Sequence, residues 1–440
     1  MKLIPALLVT LVAAITARAQ TDQSVHFEQN LAWQQVLGKA KTEHKYIFLD
    51  CYATWCAPCK EMDKTTYTDS AVRAAVNERF ICIKVQMDQT PKDNDAVKAW
   101  RVDAKTIAVA YDVTAVPTFL FFSSDGKAVH KAVGYKNAYD FIAVAKAALD
   151  PDKQYYTSVE RFYSGNCPFP MMPGLATAAE NLGQADLSAK IARDYIEHYA
   201  NHLDDSQLLN NELLRFVMSR INSSDRVFTF FLQHPDQVDH VIKMDGEAQN
   251  TTDLIVRKEF INSKLWTGTG KARIPIVQTP DWDTITRAVS LKFGDDCAER
   301  NLLIAKINWY GLKKDTPNLI KYHVEQIDRY GLELKGYAWK TINNMIYSDI
   351  FEHSEDKELL LKAANWAETI MQAHPGYPEE VDTYANLLYK IGRTQEAIAE
   401  EGKAVQIEEA NAAKRNGSPD KVYRETLEKM KKGLPTWETN

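Results

Sequence analysis

The chain has 440 residues, of which 45% are hydrophobic and 25% charged, with a formal net charge of −6. That length exceeds a single ordinary core, and that composition excludes an intrinsically disordered protein. The mildly acidic balance disfavours nucleic acid and an anionic membrane as partners, and no basic run or aromatic–basic interleaving argues otherwise.

The N-terminus reads MKLIPALLVTLVAAITARAQ. Lys2 is a short basic region, Leu3 to Ile15 is apolar, and Ala17 and Ala19 present a small-x-small pattern. This predicts a secretory signal over residues 1–19 and an exported chain, periplasmic or secreted, with no membrane span once matured. Loss of Lys2 and Arg18 leaves the mature chain two charges more negative.

Phe27 to Lys39 carries an amphipathic helical pattern. Lys45 to Tyr52, KYIFLDCY, is almost continuously apolar, as a central strand buried on both faces must be. ATWCAPC follows, then a helical pattern from Cys59 to Asn77. Ile81 to Met87 reads as a strand, Asp93 to Tyr111 as a helix and Thr118 to Phe122 as a strand. Ser123-Ser124-Asp125-Gly126 signals a hairpin turn, and Val129 to Val133 is its returning strand. Asn137 to Leu149 closes with a helix. The order predicts an α/β fold, a central mixed sheet with helices on both faces.

Cys56 opens a helix directly after a buried strand. Free amide donors and the helix dipole favour an anion there. The nucleophilic form of cysteine is the thiolate, and such a site lowers the thiol pKa from about 8.5 to about 3.5–7.5. Cys59 lies one turn along on the same face. Pro58 sits in the first turn, where a missing N–H costs nothing. In an exported chain six cysteines allow three staples, but this chain is not cysteine-dense, and a C-x-x-C pair after a strand reads as a redox couple. A structural disulfide or half a zinc site are the alternatives; no second C-x-x-C or matching histidine spacing supports zinc. Asp50 has apolar neighbours on both sides, which points to burial and a raised pKa suited to a proton acceptor. Cys51 alternates to the opposite sheet face and reads as an inert core thiol, as does Cys82.

WCAPCK (Trp55 to Lys60), followed about sixty residues later by VPTFLFF (Val116 to Phe122), then DGK and Gly134, resembles the thioredoxin fold. CKEMDKTTYTDSAV resembles the C-terminal periplasmic domain of transmembrane thiol–disulfide interchange reductases and exported thioredoxin-like proteins of Bacteroidetes-type bacteria. The resemblance covers residues 26 to about 150, within an expected thioredoxin-like domain of residues 20–150. It implies that Cys56 is the exposed attacking cysteine and Cys59 the buried resolving one. It further implies that Trp55 shields the pair, that Pro117 is a cis-proline facing it, and that the backbone at Val116–Pro117 pairs with an incoming substrate chain. Asp50 matches the buried acid that relays a proton to the resolving thiol, and Lys84 the lysine beside it. The implied chemistry is thiol–disulfide exchange, with the Cys56–Cys59 pair as the redox group and no added cofactor or metal. The implied partners are protein disulfides and a thiol-redox protein that recharges the pair. The stretch TPKDNDAVKAWRVDAKTI departs from a minimal thioredoxin and is expected to lengthen or add a helix.

Residues 151–440 show helical periodicity almost throughout. In VDTYANLLYKIGRTQEAIAEEGKAV, Ala385, Gly392, Ala397 and Ala404 fall where a tetratricopeptide (TPR) repeat places its small residues, with Ala363 upstream. This predicts a TPR-like helical array, with protein docking on its surface as the expected use and packing against the thioredoxin-like domain or self-association as the alternative. TGTGKARIPIVQTPDW is a break with no assignable element; its TGTGK lacks phosphate-loop spacing. Cys167 and Cys297 are open to pairing or to remaining free thiols. The leading functional expectation is an exported protein-disulfide reductase with a helical adaptor. The competing one is a non-catalytic binding or assembly protein using the thioredoxin fold as a scaffold.

Overall fold

A computed structural model describes residues 24–437, so the predicted signal over 1–19 lies outside the described residues. These fall into two compact units, divided between Ala248 and Gln249.

The first unit begins with α1 (Trp33–Glu43), β1 (Tyr46–Tyr52), α2 (Ala57–Lys64), α3 (Ser70–Val76), β2 (Phe80–Gln86), α4 (Asp95–Ala110), β3 (Thr118–Phe122), β4 (Ala128–Val133) and α5 (Ala138–Leu149). The sheet order is β2-β1-β3-β4, with β1 and β2 parallel and the other two pairs antiparallel. β1 is therefore central, which is why its sequence is apolar on both faces. One face packs Phe48, Phe119 and Phe121 against Met62 of α2, Val72 and Val76 of α3, and Phe141 of α5. The other packs Leu49, Cys51, Leu120 and Phe122 against Val36 and Ala40 of α1 and Ala104 and Ile107 of α4. Four phenylalanines, Phe48, Phe119, Phe121 and Phe141, are fully buried. Truncating any one to alanine costs about 3–5 kcal/mol.

Two expected helices are corrected. Phe27 is not helical; it forms an isolated parallel bridge with Cys82, and the helix starts at Trp33. The expected Cys59–Asn77 helix is two helices. The Thr65 and Thr68 hydroxyls donate to the Glu61 and Lys64 carbonyls, closing the first helix, and Asp69 caps the next by accepting from the Ala71 and Val72 N–H groups. The departing stretch after β2 does form a long helix, α4, capped by Asn94.

The first unit continues with α6 (Tyr155–Tyr163), α7 (Met172–Asn181) and α8 (Ala185–His198), followed by shorter helices to Pro235–Ile242. α6 is tied to the sheet by the Tyr155 N–H, which donates to His130 Nδ1 at 3.1 Å, and by a Lys127–Glu160 ion pair at 2.6 Å.

The second unit is largely helical. The unassigned TGTGK break forms a two-stranded ribbon, β5 (Trp266–Thr267) with β6 (Ile274–Pro275). Near the end of the chain the helices Lys357–Ala373, Pro378–Lys390 and Thr394–Lys414 pack in sequence. Ala363, Ala385, Ala397 and Ala404 are buried at their seams. Gly392, at φ 90°, makes the turn between the last two.

Candidate active site

Cys56 is the N-cap of α2: it keeps an extended backbone, and its Sγ accepts the Cys59 N–H at 3.1 Å. Pro58 occupies the first turn and gives up no hydrogen bond. The two cysteines form a disulfide with a Cα–Cα distance of 5.4 Å. The preceding turn is held by Asp88, which accepts from the Thr54 N–H at 3.0 Å and from the Thr54 hydroxyl.

The Val116–Pro117 peptide bond is cis. It ends the loop before β3, where Thr118 pairs with Cys51 of β1 and Val133 of β4. Val116 and Tyr52 pack against Ala53, Cys56 and Cys59. That packing corrects one implication of the resemblance: Cys56 is not exposed. It is 1% accessible and Cys59 4%, because Val116 and Tyr52 close over the disulfide. Trp55, in contrast, projects 71% exposed into solvent. With Met87, Asp88, Ala115 and Val116 it lines a cleft of about 170 Å3 beside the pair.

Asp50 is buried at 2% exposure and lies directly opposite Phe119 of β3. Its side chain therefore shares the Phe119 face, the one on which α2 packs. Cys51 takes the opposite face and is a free, fully buried thiol whose pKa burial pushes well up. Cys82 is likewise free and buried. Burial raises the Asp50 carboxyl to about 6; Lys84 opposes the rise and Asp63 adds to it. The Asp50 Oδ1 atom accepts no hydrogen bond. Lys84, directly across the parallel β1–β2 pair, places Nζ 3.7 Å from Asp50 Oδ2 and pairs more closely with Asp63. The same ammonium lies over the rings of Phe27, Tyr52 and Tyr67, at 5.4, 5.1 and 5.6 Å from their centroids.

Sequence reasoning had picked out Cys56, Cys59, Asp50, Lys84, Trp55, Pro58, Val116 and Pro117, and the fold gathers them at one end of β1 and β3. It missed Asp63. The signal was present, since Asp63 is four residues beyond Cys59 and on the same helix face. Cys167 and Cys297 are both free thiols. Among the described residues no cluster of histidine, cysteine, aspartate or glutamate is arranged to hold a metal, and no helix is long and apolar enough to cross a membrane.

A disulfide at a helix N-terminus, a cis-proline beside it and a buried acid beneath it agree with the family model for a thioredoxin-like domain, which matches residues 33–149. Residues 33–149 are a thioredoxin-like domain. Curated relatives of this domain include the thiol:disulfide interchange protein DsbD of Photorhabdus laumondii, 29% identical over 115 residues, 26% of this chain and 18% of the relative. DsbD of Actinobacillus pleuropneumoniae is 28% identical over 134 residues, 28% of this chain and 21% of the relative. The chain thus spans about a fifth of the length of these relatives. Among solved structures, a proposed disulphide-isomerase from Bacteroides thetaiotaomicron is 30% identical, covering 29% of this chain and 95% of its own, with a TM-score of 0.25. The reduced C-terminal domain of Neisseria meningitidis DsbD is 28% identical, covering 26% and 90%, with a TM-score of 0.21. The sequence relatives of the thioredoxin-like domain support thiol–disulfide oxidoreductase chemistry.

Proposed function

We propose that the protein is an exported thiol–disulfide oxidoreductase that reduces protein disulfides, using the Cys56–Cys59 pair itself as the redox group. The observation that carries this reading is Asp50. A carboxyl buried beneath α2, with one oxygen unpartnered and its pKa raised to about 6, is costly to the fold and suits a proton acceptor near neutrality.

In the reduced enzyme the Cys56 thiolate is favoured by the Cys59 N–H and the start of α2. It attacks one sulfur of the substrate disulfide; a mixed disulfide forms and the first substrate thiolate leaves. Asp50 takes the Cys59 proton. The Cys59 thiolate attacks Cys56 Sγ, the mixed disulfide breaks, and the second substrate thiolate leaves. Two electrons have passed to the substrate and the enzyme holds its own disulfide. A reduced thiol partner restores the pair by the reverse exchange. The Val116–Pro117 backbone is the proposed pairing site for the substrate chain, and the helical second unit is proposed to dock partner proteins.

Cys59→Ser tests this reading. It should arrest the cycle at the mixed disulfide and retain substrates covalently on Cys56, while Cys56→Ser retains none. If wild type and Cys56→Ser reduce disulfides at the same slow rate, the chain is a scaffold and not an enzyme.

A further inference from the structure

The matched domain ends at residue 149, yet α6 and α7 beyond it complete a cleft of about 500 Å3. One wall is β4, the edge strand, from His130 to Val133, together with Lys136. The other is mainly apolar, with Pro170, Met171, Leu175, Ala178 and Leu182 beside one amide, Asn181, and Ser158 of α6. A surface this apolar and this concave beside a sheet edge is suited to one large side chain of an extended polypeptide.

The cleft starts one strand away from the cis-proline loop, since Val133, which lines it, pairs with Thr118. The Gly134 N–H at its near end donates to the Pro117 carbonyl at 2.8 Å. The Thr66 hydroxyl, just past α2, donates to the Lys136 carbonyl at 2.8 Å. The β4 wall is therefore fastened to both the cis-proline loop and the end of the active helix. Sheet strands lie about 4.8 Å apart and an extended chain advances about 3.3 Å per residue. A substrate pairing beside Pro117 and running toward β4 reaches the cleft within a few residues of its cysteine.

The charges select further. At the rim Lys153 is paired with Asp150 at 3.0 Å and Asp152 with Arg161 at 2.8 Å. The Lys136 ammonium meets only carbonyl oxygens, of Val133 at 2.8 Å and of Gly134 and Tyr135 at 3.5 Å, and no carboxylate among the described residues. An acidic group would complete it.

We infer that the cleft between β4 and α7 is a second substrate subsite, which takes a large apolar side chain followed by an acidic residue a few positions from the target cysteine. The inference rests on the proposed reductase function. It makes α6 and α7 specificity elements of the disulfide reaction.

The test uses the full chain and two short peptide disulfides, one with a Phe-Glu pair about four residues from its cysteine and one with Ala-Gln there, the pair being placed on either side in separate peptides. Bis(2-hydroxyethyl) disulfide serves as a small control. Gly174→Trp fills the cleft, because a side chain at Gly174 meets open space and its φ is ordinary for a helix. We expect Gly174→Trp to raise KM for the Phe-Glu peptide about tenfold, leaving its kcat and the small control unchanged. Lys136→Gln should raise the same KM about threefold. If wild type handles both peptides alike, or the variants shift both equally, the subsite is refuted and the cleft serves some other ligand or a second copy of the chain. If wild type reduces no disulfide at all, the reductase reading fails instead. Binding of the same peptides with serine in place of cysteine then decides the subsite, by whether wild type prefers Phe-Glu and Gly174→Trp loses that preference.

Discussion

Asp50 and Lys84 sit opposite each other on adjacent parallel strands, Oδ2 to Nζ at 3.7 Å, and the lysine is pulled away from the buried acid by a closer pairing with Asp63. Burial raises the Asp50 carboxyl to about 6, and the shared lysine offsets that rise only in part. Three aromatic rings, of Phe27, Tyr52 and Tyr67, surround the same ammonium.

Asp50→Asn removes the proton acceptor and should slow disulfide reduction at pH 7 by about a hundredfold or more. The wild-type rate should rise with pH through about 6, as Asp50 becomes the base form; the variant should lack that limb. A pH–rate profile of both proteins checks this.

The same substitution should stabilise the fold. The Asp50 pKa is raised in the folded state, so its contribution is fully present below the ordinary carboxylate value and is lost as pH climbs from about 4 through about 6. The loss amounts to about 3 kcal/mol. Denaturant unfolding should show Asp50→Asn gaining up to that amount at pH 7 and little at pH 4.

Lys84→Met and Asp63→Asn should move the pH midpoint of the reaction in opposite directions. Removing the cation raises the Asp50 pKa and shifts the midpoint up; removing the neighbouring anion lowers it and shifts the midpoint down. Shifts of the same sign would detach Lys84 and Asp63 from the Asp50 titration.

Cys51→Ala should leave the reduction rate unchanged and cost about 1 kcal/mol of stability. Cys51 packs with Leu49 and Leu120 on the face away from Asp50, and burial keeps it a thiol. Alkylation of the reduced native protein should modify Cys56 far ahead of Cys51 and Cys82.

In the second unit Glu401 is fully buried beside the half-buried Asp382, and burial raises both carboxyls, Asp382 to about 7 and Glu401 further; Asp382 adds to the rise of Glu401, whereas the Glu401 side chain and Asn386 partly offset that of Asp382. Raised acids stabilise the folded state when protonated. The stability of this unit should therefore fall as pH rises from about 4 through 7 and beyond. Thermal unfolding at pH 5 and pH 9 should show the fall, and Glu401→Gln should recover several degrees at pH 9.

Local rules carried much of this. The alternation of a strand separates Asp50 from Cys51, a helix start places Cys56 and Cys59 on one face, and Val-Pro-Thr marks the cis-proline loop. The strands of the sheet were legible within a residue or so, because their apolar runs answer to burial on both faces. The helix between Cys59 and Asn77 was misread because its break lies in threonines and a capping aspartate, whose competition with the helix backbone is weaker than that of glycine or proline. Phe27 was misread as helical because its apolar periodicity serves a bridge to Cys82.

Short-range spacing made the C-x-x-C pair, the burial of Asp50 and the order of sheet and helices legible, and the resemblance to the thioredoxin fold implied the cis-proline. The sharing of Lys84 between Asp50 and Asp63, the packing of Val116 on Cys56 from sixty residues away, and the cleft that α7 forms with the edge of β4 emerge from the folded chain alone. Those relationships join residues far apart in the chain, and packing, which sums many weak contacts at once, leaves no periodic trace in any one segment.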